Sequence, residues 1–411
     1  MILKELTNEE FMMFTNNNYI SIYQSSEYAE TMKSQKFNYI YFGIIDNNKI
    51  YGASLILIKK EHGFKYAYAP RGFIIDYNNI ELVNTFTNLL KKELKKKGIV
   101  GLRINPPILK SIYQNKKLIN NNNYDNIFNN LTSIGYKHLG YNNYFEGLKP
   151  RYEAVIPLNK NIQVLFNNMD KSFKTKVRSA DKNGIKIYKG EKKDLELLFT
   201  QTKNKYPRDI KYFENMYDCF KNRIDIYYAK LDTNDYVRNV QYRYQLQISI
   251  CNKANEEVFK NVKKNNSKSI NKKLYEENKL NIIKEELVSA TKLLKDNPNG
   301  IILASVLIIK NKTEVYMIMD GYDKTYKKMN AKHLLIWKLI EQFAKNGYKT
   351  FNLGGISNYN IQNNKYAGLN NFKLNFGSNI YEYIGDLELV INKPLHLMYK
   401  QNKAVMSILK K

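Results

Sequence analysis

Cysteine is nearly absent: Cys219 and Cys251 are the only two in 411 residues, and no Cys-x-x-Cys pair occurs. That excludes a disulfide framework and a zinc ribbon, and it suits a reducing compartment. The four histidines, His62, His138, His333 and His396, are scattered with no His-Glu-x-x-His among them, so no metal site is expected. No Gly-x-Ser-x-Gly elbow, dinucleotide-binding glycine pattern or P-loop lysine is found. The longest apolar run, "IILASVLII" (301–309), is strand-length, far short of the roughly 20 residues a membrane helix needs. The opening "MILKELTNEE" lacks the apolar stretch of a signal peptide. A cytoplasmic protein with no transmembrane segment is expected. Acids are scarce as well, with 38 Asp and Glu against 66 Lys and Arg, a net charge of +28. Such an excess favours polyanionic partners: nucleic acid, a nucleotide-linked substrate, or the anionic inner face of a membrane met peripherally.

Two segments share one layout. "YAYAP" (66–70) leads through a loop to an amphipathic stretch at 80–97, then Gly98, then "IVGLRIN" ending at Pro106 and Pro107. "EVYMIMDG" (314–321) leads to a second such stretch at 331–346, then Gly347, then "YKTFNL" ending at Gly354 and Gly355. Glycine is the favoured residue just past a helix, and strand–helix–strand alternation predicts α/β units. Two similar α/β lobes follow, a first over 1–150 and a second over 151–237 and 299–379. The segment from about 380 to 411 is expected to pack back on the first. Residues 238–298 differ. They hold no Gly or Pro before Pro298, and Leu280, Ile283, Leu287, Ala290 and Leu294 repeat at spacings of 3 and 4. That is a coiled-coil seam, and it predicts an antiparallel helical hairpin arm turning near 263–269.

The second lobe resembles the core of the N-acetyltransferase (GNAT) fold. Its loop "GYDKTYKKMN" (321–330) lacks the glycine pattern that holds acetyl-CoA, so another donor is expected, and Lys324, Lys327 and Lys328 suit a phosphate-bearing one. With no metal motif and no covalent nucleophile in view, the chemistry expected is positioning and electrostatics.

A series of motifs then runs in order along nearly the whole chain: "QSSEYAETMK" (24–33), "YAPRGFIIDY" (68–77), "GLRINPPI" (101–108), "KPRYEAVIPL" (149–158), "SFKTKVRSADKNGIKI" (172–187), "FNLGGIS" (351–357) and "GLNNFKLNFG" (368–377). The series resembles the Fem family of peptidoglycan-bridge aminoacyltransferases, the FemA, FemB, FemX and MurM-like proteins. The resemblance implies two tandem GNAT-like lobes with a coiled-coil arm. It also implies transfer of an amino acid from aminoacyl-tRNA to the stem-peptide side-chain amine of lipid II or of UDP-MurNAc-pentapeptide, without a cofactor. By the same resemblance Lys373 sits at the reacting ester with Phe372 beside it. Lys33, Arg208, Tyr212 and Arg71 belong to substrate binding, and Gly354 and Gly355 let the donor's acyl end approach. For tRNA the basic candidates are Lys174, Lys176 and Arg178 in one patch and Lys263, Lys264 and Lys268 in the arm.

The chain departs from the family pattern at Phe73, where proline is usual, and in two further places. Asn105 stands where a carboxylate is common, and Asp320 precedes Gly321 where tyrosines are expected, which leaves Asp320 as the carboxylate to consider for a base. Two other readings stay open: an RNA-binding protein with relic acyltransferase lobes, and an N-acyltransferase with a different acceptor.

Overall fold

Leu82, Val83, Phe86, Leu90 and Leu94 form one buried stripe on the helix Ile80–Lys96, which Asn79 caps by accepting from the Leu82 amide at 3.0 Å. The helix stops at Gly98, whose φ of 71° is costly for any residue with a Cβ. It joins the strands Phe64–Pro70 and Ile99–Asn105, which pair in parallel. The second unit repeats the plan: helix Ala331–Lys345 buries Leu334, Leu335, Leu339 and Phe343, and Gly347 at φ 80° ends it. It joins the parallel strands Glu314–Tyr322 and Thr350–Ile356. Each unit is the centre of a GNAT-like lobe.

A computed structural model describes residues 1–18, 21–122, 124–202, 209–260 and 267–408. Among these the first sheet has seven strands, in the order Ile2–Leu6, Asn38–Asp46, Lys49–Glu61, Phe64–Pro70, Ile99–Asn105, Leu387–Val390, Tyr136–His138. The second has nine, in the order Ile185–Lys189, Ile224–Leu231, Ile301–Asn311, Glu314–Tyr322, Thr350–Ile356, Tyr152–Pro157, Asn379–Tyr383, Leu109–Gln114, Lys117–Asn121. The lobes trade segments. Leu387–Val390, from near the end of the chain, enters the first sheet, and the helix Lys393–Ile408 after it sets Tyr399 against Tyr66 with ring centres 4.9 Å apart. The hairpin 109–121 goes the other way and extends the second sheet beside Asn379–Tyr383.

The arm is a pair of helices, Thr233–Lys260 and Ser267–Asp296. Val240 and Ala290 bury into the core of the second lobe, while Ile283, Leu287 and Leu294 are half-buried against it. Further along, polar clasps hold the pair: Gln247 donates to Glu276 at 2.6 Å, and Arg243 grips Glu286 with both nitrogens at 2.7 and 3.0 Å. Among the described residues no helix is long and apolar enough to cross a membrane.

One ion pair joins the lobes at their centre. Arg71, just past the strand Phe64–Pro70, meets Glu153 of the strand Tyr152–Pro157 at 2.6 Å, with both side chains buried. Arg71 also donates to the Pro150 carbonyl at 2.9 Å and lies over the Tyr383 ring. The Asn352 side chain and the Tyr383 hydroxyl both donate to Glu153, at 2.9 and 3.2 Å. Burial works against the Glu153 carboxylate, but Arg71 and these donors hold it below the usual carboxylate range.

Removing one partner strands the other charge in the core, a loss of about 3–5 kcal/mol, whereas replacing both by apolar residues costs less. Glu153→Gln is expected to lower the thermal melting temperature more than the double change Arg71→Met with Glu153→Met. Calorimetry of the two variants checks it, and equal melting points would contradict it.

Candidate functional site

The parallel pairing of Glu314–Tyr322 with Thr350–Ile356 runs only as far as Tyr316 opposite Asn352. Beyond it the two strands diverge. In the first lobe the corresponding strands stay paired to their ends, Pro70 opposite Asn105. Among the described residues only the second lobe therefore opens a notch between these strands. The notch forms one end of a cavity of about 1190 Å³ between the lobes. Met317, Met319, Asp320, Leu353, Gly354 and Gly355 line it there, and Tyr23, Tyr28, Phe37, Lys59 and Lys149 line the end toward the first lobe.

The paired glycines shape the notch. Between Asn352 and Gly355 the register against Tyr152–Pro157 shifts, because two residues bulge opposite one. Gly354 takes the bulge at φ 80°, and its amide donates to the Asn352 side chain at 2.8 Å. At Gly355 a side chain has no room: an added Cβ would stand 2.4 Å from Pro150 Cγ. What fills the side-chain position of Gly355 is thus the linker between the lobes, while both glycines line the cavity.

Lys373 lies on the short helix Ala367–Leu374, 7% exposed, and donates to the Gly355 carbonyl at 2.8 Å. A buried ammonium held by a carbonyl at the mouth of a splayed strand is placed to meet a developing negative charge. Phe372 lines the cavity beside it, its ring 5.4 Å from His333 and 5.9 Å from Phe173. Burial, and then the charges of Lys176 and Lys332, push the His333 imidazole down to about 4. At neutral pH it is an uncharged ring among aromatics.

Other expected positions are dispersed. Tyr212 lines the cavity and is nearly buried. Lys176 lines it as well, while Lys174, Arg178 and Lys268 do not. Lys33 is exposed and paired with Glu30 at 2.9 Å, and it does not line the cavity. Arg71 is corrected, since its guanidinium is spent inside the protein on Glu153 and Pro150. Asp320 faces the cavity but is ion-paired with Lys332, so a base role there must first displace an ammonium. Asn105 is buried and donates to Asp386 at 2.6 Å. Arg208, Lys263 and Lys264 lie outside the described residues.

Three cavity cations went unassigned in the sequence. Lys149 sits 3.4 Å over the Tyr23 ring and donates to the Tyr28 hydroxyl at 3.1 Å. Lys59 stands 4.8 Å over the Phe37 ring. Lys332 lies 3.7 Å over Phe372. Lys332 did carry a signal: it stands in the first turn of its helix, where a cation opposes the helix dipole. With Lys176, Lys327 and Lys373 these make six cations around the cavity against Asp320 and Asp323, a lining suited to phosphate-bearing ligands.

Comparison with known proteins agrees with this architecture. The FemAB family model matches residues 6–404. The aminoacyltransferase FemA of Staphylococcus epidermidis is 28% identical over 415 aligned residues, covering 98% of this chain and 99% of the relative. FemA of Staphylococcus aureus is 25% identical, with coverage of 98% and 99%. The solved structure of FemX superposes with a TM-score of 0.75 at 23% identity, covering 97% of this chain and 99% of that one.

Two outcomes test the site's construction. Gly355→Ala is expected to lower the melting temperature more than Gly354→Ala. The first clashes with linker atoms, and the second costs roughly 1–2 kcal/mol of left-handed strain. His333, depressed in the folded state, binds its proton more readily when unfolded, so it makes stability rise with pH between about 4 and the ordinary 6.5. His333→Phe is expected to flatten that part of the stability curve measured by urea unfolding, and an unchanged slope would contradict the assignment.

Proposed function

The chain belongs to the FemAB family, and on that premise we propose that it moves an amino acid from aminoacyl-tRNA to the side-chain amine of a peptidoglycan stem peptide. The acceptor is carried by lipid II or by UDP-MurNAc-pentapeptide, and the product is an interpeptide bridge. The observation that carries this reading is the buried Lys373 ammonium on the Gly355 carbonyl, at the open end of a notch in a cation-lined cavity. That the chain is an acyl-transferring enzyme follows from its FemA relatives.

An aminoacyl ester is already activated, so one addition and one elimination suffice. The acceptor ammonium sheds a proton to solvent, and the free amine attacks the ester carbon. The carbonyl oxygen becomes an oxyanion, and Lys373 donates to it. The intermediate collapses, the carbon–oxygen bond to the ribose breaks, and the departing oxygen takes the amine's second proton. One well-placed donor of this kind is worth about 3 kcal/mol. Phe372 and the neutral His333 ring keep the ester end dry, which strengthens that interaction. At the other end Lys59 and Lys149, each over an aromatic ring, suit the diphosphate that both acceptors share. The work is assigned to the cytoplasm, with peripheral contact at the inner membrane face when the acceptor is lipid-linked.

The test is transfer of labelled amino acid from a charged mixed tRNA pool to purified lipid II or the nucleotide-linked precursor, with an RNase-treated control. Transfer abolished by RNase supports the reading, and no transfer to either acceptor overturns it. In the same assay Lys373→Met is expected to lower kcat by about 100-fold or more while the acceptor KM stays within about threefold. Unchanged turnover would remove Lys373 from the chemistry.

A further inference from the structure

Two basic surfaces compete for the donor's nucleic acid, and their charges are spent differently. The arm spreads thirteen Lys and Arg over residues 238–298 against seven acids. At least five of its eleven described cations are ion-paired: Arg238 with Asp235, Arg243 with Glu286, Lys272 with Glu257, Lys273 with Glu277 and Lys279 with Glu276. The helix Lys171–Lys182 instead holds five cations and one acid in 12 residues. Its Asp181 is turned to Lys338 at 3.7 Å, and Asp170, before the first turn, is used as the cap of Ser172.

Lys171, Lys174, Arg178 and Lys182 are spaced three, four and four apart, which sets them in one stripe about 16 Å long opposite the buried Phe173, Val177 and Ala180. None of the four makes an ion pair among the described residues. Lys174 donates to the Asn167 carbonyl at 3.1 Å, and Arg178 lies 5.1 Å from the Phe166 ring. The stripe also leads somewhere. Asn183, just past the helix, donates to Met329 at 3.9 Å, which joins the helix to the turn Lys324–Met329 with its three lysines. From there Lys327 and Lys176 enter the cavity wall near Phe372 and Lys373.

We propose that the sugar–phosphate backbone of the RNA donor is held on this stripe and turn, which feed its acylated end into the notch, and that the arm adds little to RNA affinity. The proposal rests on the donor being an aminoacyl-tRNA. Phosphate neutralisation sets the salt dependence of binding, at roughly 0.7–0.9 in the log–log slope per contact, so the two surfaces can be told apart.

The experiment is fluorescence anisotropy of labelled, deacylated total tRNA with the full chain, from about 50 to 300 mM KCl. The first variant carries Lys171→Gln, Lys174→Gln, Arg178→Gln and Lys182→Gln. The second carries Lys253→Gln, Lys260→Gln, Lys284→Gln and Lys292→Gln, all exposed on the arm. Melting curves confirm that both fold. The first is expected to lose about 3 from the slope and at least about tenfold in affinity, while the second keeps the wild-type slope. Equal losses in both variants, or a loss only in the second, overturn the assignment to the helix while leaving an RNA donor intact. No binding by the unmodified chain overturns the RNA-donor reading itself.

Discussion

The buried pair of Arg71 and Glu153 is the constraint on which the remaining geometry depends. It ties the end of a first-lobe strand to a central strand of the second sheet, and through Pro150 it fixes the linker between them. Through Asn352 it reaches the residue before the bulge, and Asn352 in turn holds the Gly354 amide. Pro150 fills the space that Gly355 leaves open. The lobe interface, the linker and the notch are therefore one hydrogen-bonded unit. A second clasp works beside it: buried Asp386 accepts from Asn105 at 2.6 Å and from the Leu148 amide at 2.7 Å. Burial raises the Asp386 carboxyl above its usual range against the pull of those donors. Asn105 thus serves as a strut between the first lobe and the returning end of the chain.

The two lobes share a strand–helix–strand plan but differ in how far their parallel strands stay paired. Where the first keeps its parallel strands zipped to Asn105, the second lets them part after Asn352. Parted strands expose backbone and leave room for a ligand's end, and here a bulge and a helix bring Lys373 to that opening. The first lobe supplies the opposite wall and its cation–aromatic pairs. The cavity thus has two chemically different ends, a notch holding Lys373 and a wall of cation–aromatic pairs.

Much of this was legible in the chain. Helix stripes, glycine stops and unbroken stretches specify local structure through short-range physics, so both α/β units and the helical hairpin could be read directly. Lys373, Phe372, Tyr212 and the paired glycines could be singled out because they lie in compact motifs. Lys59, Lys149 and Lys332 could not, since their meaning comes from rings and carboxylates brought to them by folding. Arg71 misled for the converse reason. An arginine in a motif reads as a ligand-binding residue until its buried partner, 82 positions away, is known.

By itself the sequence determined the two lobes, the arm, the excess of positive charge and the family to which the chain belongs, because periodicity, composition and ordered motifs are properties of a line of residues. Only the tertiary structure decided which lysines face the cavity, which cations of the arm are neutralised and what stands against Gly355. Those outcomes depend on distances between segments far apart in the chain. They follow from how two sheets exchange strands around the buried Arg71–Glu153 pair, and no local pattern encodes that exchange.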